Sequence, residues 1–158
     1  METTELRLDA RHGALPESAS PEMYQIVAYW RSLFRGEILP DRRDIDPTEI
    51  PRLLPGIILI DIFHNPYRFK FRLIGEAMVS YHGRNLTGFW MDEAFPHFND
   101  ARTPGNIIDV AENCVMNYRF GPPLMTYEKN FINMERIFLP CRNGGDKVEL
   151  LLTFTICR

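Results

Sequence analysis

Long apolar runs are missing from this chain. The longest, residues 56–60, is extended past Asp61 only by Ile62 and Phe63, far short of the ~20 residues that cross a bilayer. The N-terminus, METTELRLDARHG, is charged and lacks the apolar stretch of a secretory leader. A cytoplasmic location without membrane insertion is therefore expected. Cysteine is scarce: Cys114, Cys141 and Cys157 are an odd set with no short spacing. This argues against a disulfide framework and suits a reduced compartment, with each thiol acting as a small buried apolar group. Neither sign of charge dominates. The 18 basic and 21 acidic residues leave a net charge of -3, and no basic patch speaks for nucleic acid. Histidine is thin too. His12, His64, His82 and His97 show no i, i+3 or i+4 pairing and no neighbouring cysteine, so no metal site is expected. Ser80 lacks the strained Gly-x-Ser-x-Gly turn of a nucleophile. Asp92 and Glu93 are adjacent and so diverge, whereas a carboxylate dyad needs convergence.

What is present suits one domain with a real core. The chain has 158 residues, of which 45% are hydrophobic and 12% aromatic. Residues 1–19 carry Gly13, Pro16 and scattered charges without apolar periodicity, and a flexible tail is expected there. Residues 20–55 are expected to be a helical extension. Ser20-Pro21-Glu22 is a helix start, and Met23, Ile26, Val27, Trp30 and Phe34 follow at helical spacing. A second short helix opens at Asp46-Pro47 and ends near Leu54-Pro55.

The core is expected over residues 56–158. Its first strand has Ile57 and Leu59 on one face and Ile58, Ile60 and Ile62 on the other, so both faces need cover. The Trp30/Phe34 helix is the natural cover for one of them. After the turn His64-Asn65-Pro66-Tyr67, a second strand places Phe69, Phe71 and Leu73 on one face and Lys70 and Arg72 on the other. Short helices broken by Gly83, Gly88 and Pro96 come next. A longer helix follows, with a stripe of Ile107, Ala111, Cys114, Val115 and Tyr118, ended by Gly121-Pro122-Pro123. Strands over residues 124–132, 135–141 and 147–157 close the chain, the last two joined by Asn143-Gly144-Gly145-Asp146. In the last strand Val148, Leu150, Leu152, Phe154 and Ile156 alternate as one apolar face.

Several short motifs occur in a fixed order. Trp30 is on the N-terminal helix. Leu39-Pro40 precedes Arg42, Arg43 and Asp44-Ile45-Asp46-Pro47, and Leu53-Leu54-Pro55 leads into the first strand. Phe69, Phe71, Arg72, Leu73 and Gly75 form an aromatic-x-aromatic-Arg-Leu-x-Gly run. Gly83, Arg84, Leu86, Thr87 and Gly88 form a Gly-Arg-x-Leu-Thr-Gly run, and Leu139-Pro140 precedes the last turn. Over residues 21–157 this order resembles a stand-alone bacterial PAS-like family. Glu76 departs from it, since a small hydroxyl residue is usual after that glycine.

The resemblance implies an α+β fold: a five-stranded antiparallel sheet with helices on one face and the N-terminal amphipathic helix on the other. It implies a sensory or signalling module that binds a small molecule or a partner protein between sheet and helices. Phe71, Tyr81, Trp90, Phe95, Tyr118 and Phe138 are the pocket candidates, although aromatics at such places also serve a plain core. Arg72, Gly75, Gly83, Thr87 and Gly88 are read as structural. Arg72 is expected to pair with an acid of residues 41–46, and the glycines to serve backbone geometry.

No cofactor is expected. Asn113-Cys114 matches the Asn-Cys pair of flavin-bonding light sensors, but it lies in the wrong helix and the following residues differ. Residues 103–120 contain no histidine for haem. No effector segment is expected after Arg158, and output is expected to pass through association with a signalling partner or as a homodimer on the Met23–Phe34 face. The alternative is a small α+β enzyme, hotdog or cone-like, acting on a hydrophobic substrate. No catalytic constellation favours it.

Overall fold

Six antiparallel strands make one sheet that divides the hydrophobic interior in two. The computed structural model describes residues 3–124 and 132–157. In chain order the strands are β1 (Thr4–Asp9), β2 (Ile57–Phe63), β3 (Arg68–Ile74), β4 (Val115–Gly121), β5 (Met134–Arg142) and β6 (Val148–Cys157). The helices are α1 (Pro21–Ser32), α2 (Glu76–His82), α3 (Met91–Ala94) and α4 (Thr103–Asn113), with single 3-10 turns between them. The strand order across the sheet is β1-β4-β5-β6-β2-β3.

Alternation along β2 decides the layering. Ile57 and Leu59 belong to one core with α1; Ile58, Ile60 and Ile62 belong to the other, under α2, α3 and α4. Met23, Ile26, Val27 and Trp30 of α1 are buried in the first core, and Trp30 is fully inaccessible. Its indole N–H donates to the Pro140 carbonyl at 3.1 Å, and Phe34 meets its ring edge-on at 4.8 Å. The helix thus covers the chain's own sheet. Ser20 stands at its N-cap without a side-chain cap bond. Its backbone N–H instead donates to the buried Glu135 carboxylate at 3.0 Å, which also accepts from the Tyr118 hydroxyl at 2.7 Å.

The connector from α1 to β2 is pinned by Asp41. That carboxylate accepts from the N–H groups of Arg43 (3.1 Å) and Gly144 (2.7 Å) and lies 3.6 Å from Arg142. Burial opposes its ionisation, but these N–H groups and the Arg43 and Arg142 guanidiniums outweigh burial and hold it below the usual range.

Four expectations need correction. First, the tail expected over residues 1–19 contains β1, paired along its length with β4 (Leu6 opposite Tyr118), so the sheet has six strands, not five. The alternation Glu5-Leu6-Arg7-Leu8-Asp9 has too few apolar residues to stand out, yet two leucines suffice for an edge strand against the α1 core. Second, the long helix ends at Asn113, with Cys114 in the left-handed region (φ 51°), and Tyr118 is in β4. Cys114 is exposed there rather than buried; Cys141 is buried, and burial pushes its thiol up to about 12. Third, Leu73 does not share the face of Phe69 and Phe71. A bulge shifts the register between Leu59/Leu73 and Ile60/Phe71 and leaves Leu73 exposed. Fourth, Arg72 pairs with Asp61 of the neighbouring strand at 3.0 Å, because strand neighbours reach it before the Asp41 loop does. The strand expected over residues 124–132 falls largely outside the described residues.

Candidate functional site

Between the sheet and the α2–α3–α4 layer lies a cavity of ≈ 70 Å³. Two elements of the sequence position it. The β2–β3 hairpin contributes Ile58, Ile60 and Phe71, and α2 lays Met78, Tyr81 and His82 over them. Gly75 lets α2 start this close: its N–H donates to Ile57 at 2.7 Å, and a Cβ there would come within 2.3 Å of the Leu54 carbonyl oxygen. Gly83 closes α2 in the left-handed region (φ 77°). Gly88 carries the chain back so that its N–H reaches the Phe71 carbonyl at 2.7 Å. Thr87 is held by Asn85, whose Oδ1 accepts from its N–H (3.0 Å) and hydroxyl (2.7 Å).

The rest of the sheet side of the cavity comes from β4, β5 and β6, and it carries the polar groups. In the strand register Glu5 faces Arg119, Arg119 faces Arg136, and Arg136 faces Thr155. One row over, Asn117 faces Phe138 and Phe138 faces Thr153. Arg119, Arg136, Phe138, Thr153 and Thr155 all line the cavity. Arg119 and Arg136 are only 6% and 7% exposed.

Each guanidinium is anchored at one end. Arg136 Nη1 donates to the Asn117 carbonyl (3.0 Å) and side-chain oxygen (2.5 Å), with its plane 3.8 Å from the Phe138 ring centre. Arg119 Nη1 donates to the Pro122 carbonyl at 2.6 Å. Three buried atoms nearby, Arg119 Nε, Arg136 Nη2 and Thr153 Oγ1, have no hydrogen-bond partner among the described residues. Burial lowers the Arg136 guanidinium to about 9; Glu5 raises it, and Arg119 and Arg102 lower it. It therefore stays protonated at neutral pH. Burial also lowers Arg119, with Glu5 opposing and Arg102 reinforcing. Their carboxylate, Glu5, is shared: it pairs with Arg102, accepts from Asn106 at 2.8 Å and lies 3.8 Å from Arg136 Nη2.

Of the six aromatic candidates, Phe71, Tyr81 and Phe138 line the cavity. Phe95 is buried beside it, edge-on to Phe71 at 6.1 Å. Trp90 stands apart beneath Arg68 (4.0 Å) and Lys70 (4.9 Å). Tyr118 is on the other face of the sheet, in the α1 core. The local sequence of β4 reads as helix, which hides Arg119, and Arg136 on the strand expected over 135–141 gains its meaning only from Arg119 opposite it. The alternation of Met116, Tyr118 and Phe120 with Asn117 and Arg119 was the available signal.

The model of the PAS domain family matches residues 18–154. The chain belongs to the PAS domain family. Comparison with curated proteins and with solved structures finds no match. The match begins after β1, so the sixth strand and Glu5 are contributed by residues that precede the matched PAS segment. A PAS domain marks a sensory or signalling module. Among the described residues no helix is long and apolar enough to cross a membrane.

Proposed function

We propose that this PAS domain is a cytoplasmic sensor that takes a small molecule into the cavity between sheet and helices and passes its state on by protein association. One observation carries this reading. The lining of a mostly apolar cavity includes Arg119, Arg136 and Thr153, each with a buried polar atom that has no hydrogen-bond partner among the described residues, the pattern of a ligand site: mostly apolar, with a few orienting groups. Each buried atom left without a hydrogen bond costs ~1–3 kcal/mol, which a ligand's acceptors at this wall would offset.

The reading is binding and not turnover. Guanidiniums and a threonine hydroxyl hold charge and hydrogen bonds, but protonated guanidiniums abstract no proton. Homodimerisation, if it carries the output, uses the outer side of α1 or another surface, because Met23, Ile26, Val27 and Trp30 are buried against the chain's own sheet. Native mass spectrometry of the protein purified from its expression host tests the proposal. The expected result is a retained non-protein mass that is released on unfolding. A clean apo mass, together with no thermal stabilisation by any small molecule tested, would refute it.

A further inference from the structure

We infer that the cavity takes a small organic monocarboxylate, its carboxylate on the free donors of Arg119 and Arg136 and its apolar body against Ile58, Ile60, Phe71 and Met78. The inference rests on the cavity-binding reading above and names the chemical class that fits it.

Charge comes first. Arg119 and Arg136 are directly opposed across β4 and β5 and both buried. Like charges in that relation repel, and a buried cation is costly unless paired. Among the described residues Glu5 is the acid that reaches them, and its two oxygens are already engaged by Arg102, Asn106 and, at 3.8 Å, Arg136. Of the two acids on α4, Asp109 is bound to Arg7 at 2.6 Å and to Asn113, and Glu112 accepts from the Tyr67 hydroxyl at 3.0 Å. With exposed Arg102 balanced largely by solvent, the buried pair and Glu5 leave an excess of one positive charge among the described residues. A monoanion cancels it.

Geometry comes second. Asn117 and the Pro122 carbonyl fix one edge of each guanidinium. Arg119 Nε, Thr153 Oγ1 and Arg136 Nη2, which has only the 3.8 Å ion-pair contact with Glu5, have no hydrogen-bond partner among the described residues, and all three residues line the cavity. Held donors of this kind suit a planar carboxylate.

Size comes third. At roughly 10–15 Å³ per water, ≈ 70 Å³ holds on the order of five waters. A branched, short-chain or monocyclic acid fits; a nucleotide does not.

Isothermal titration and thermal unfolding at pH 7 with isovalerate, hexanoate and benzoate, each beside its neutral amide, and with inorganic phosphate, test this. At least one acid is expected to bind ~10–100-fold more tightly than its amide, as expected for hydrogen bonds to a charged group. At a hundred times its dissociation constant it should raise Tm by ~5–10 °C. Arg136→Met should abolish the preference for acid, and Thr153→Val should weaken it. The ratio in the unmodified protein is decisive even if a variant folds poorly. Amides binding as well as acids, or phosphate binding better than either, would overturn the carboxylate inference while leaving the cavity-binding reading intact. So would a neutral retained mass in the purified protein with no acid bound. Absence of any retained mass and of any binding would sink both.

Discussion

Replacing Glu5 by glutamine removes one charge and little shape from a strand that precedes the matched PAS segment. Glu5 pairs with Arg102, whose side chain is 66% exposed, and with buried Arg136. The exposed pair contributes only ~0.2–1 kcal/mol. The second contact matters more, because losing it leaves two opposed buried guanidiniums with no carboxylate among the described residues. Removing one partner of a buried ion pair costs ~3–5 kcal/mol, and the separation of 3.8 Å places this case below that range. A total near 2–3 kcal/mol is expected, lowering Tm by about 4–12 °C in a domain of this size. Arg136→Met should behave differently. It discards a buried charge and its repulsion with Arg119, which stabilises, but strips Asn117 Oδ1 of its donor at 2.5 Å. The two effects oppose, so a change within ~1 kcal/mol of zero is expected. Urea unfolding of both variants decides the matter. Glu5→Gln unfolding like the parent, or Arg136→Met losing as much as Glu5→Gln, would refute the reasoning that a surplus of buried positive charge lines the cavity.

Three further outcomes follow from the packing. Trp30→Ala should cost ~3–5 kcal/mol in chemical unfolding without altering the oligomeric state in light scattering, because its ring is spent inside its own chain. Gly75→Ala should cost more than ~2 kcal/mol, since its Cβ would meet the Leu54 and Pro55 carbonyl oxygens at 2.3 and 2.5 Å. Gly105→Ala, in α4 with open space around it, should stabilise by ~0.5–1 kcal/mol in the same assay. Asp41 is held below the usual carboxylate range in the folded state. The unfolded chain therefore takes up its proton first. Stability from Asp41 is full above about pH 4 and is lost as pH falls through the lowered folded value. Asp41→Asn should flatten the acid limb of the stability curve below about pH 4, and an unchanged limb would count against the role given to Asp41.

Much of the architecture was legible because it rests on local periodicity. Ile57 to Ile62 announced a strand covered twice, and Met23 to Trp30 announced its cover. The Gly75, Gly83 and Gly88 positions announced a chain that must bend sharply over the β2–β3 hairpin. What was hidden depends on partners distant in sequence. The leucines of β1 make a strand only because β4 offers an edge, and β4 itself reads as either helix or strand until Cys114 turns left-handed. The bulge at Arg72 depends on the register with Leu59 and Ile60. The row Glu5, Arg119, Arg136, Thr155 exists only in the assembled sheet, and so the polar lining of the cavity is invisible in the sequence, whereas three of the aromatic candidates, Phe71, Tyr81 and Phe138, line it.

A titration of the isotope-labelled protein with isovalerate or benzoate, followed by NMR, puts the site itself to the test. Resonances of Arg119, Arg136, Phe138, Thr153 and Met78 should move together and saturate, while those of Ile26, Trp30 and Leu152 in the α1 core stay in place. Shifts confined to the α1 side or to the outer edge of β3, with the arginine row unmoved, would contradict a ligand site between the sheet and its helices.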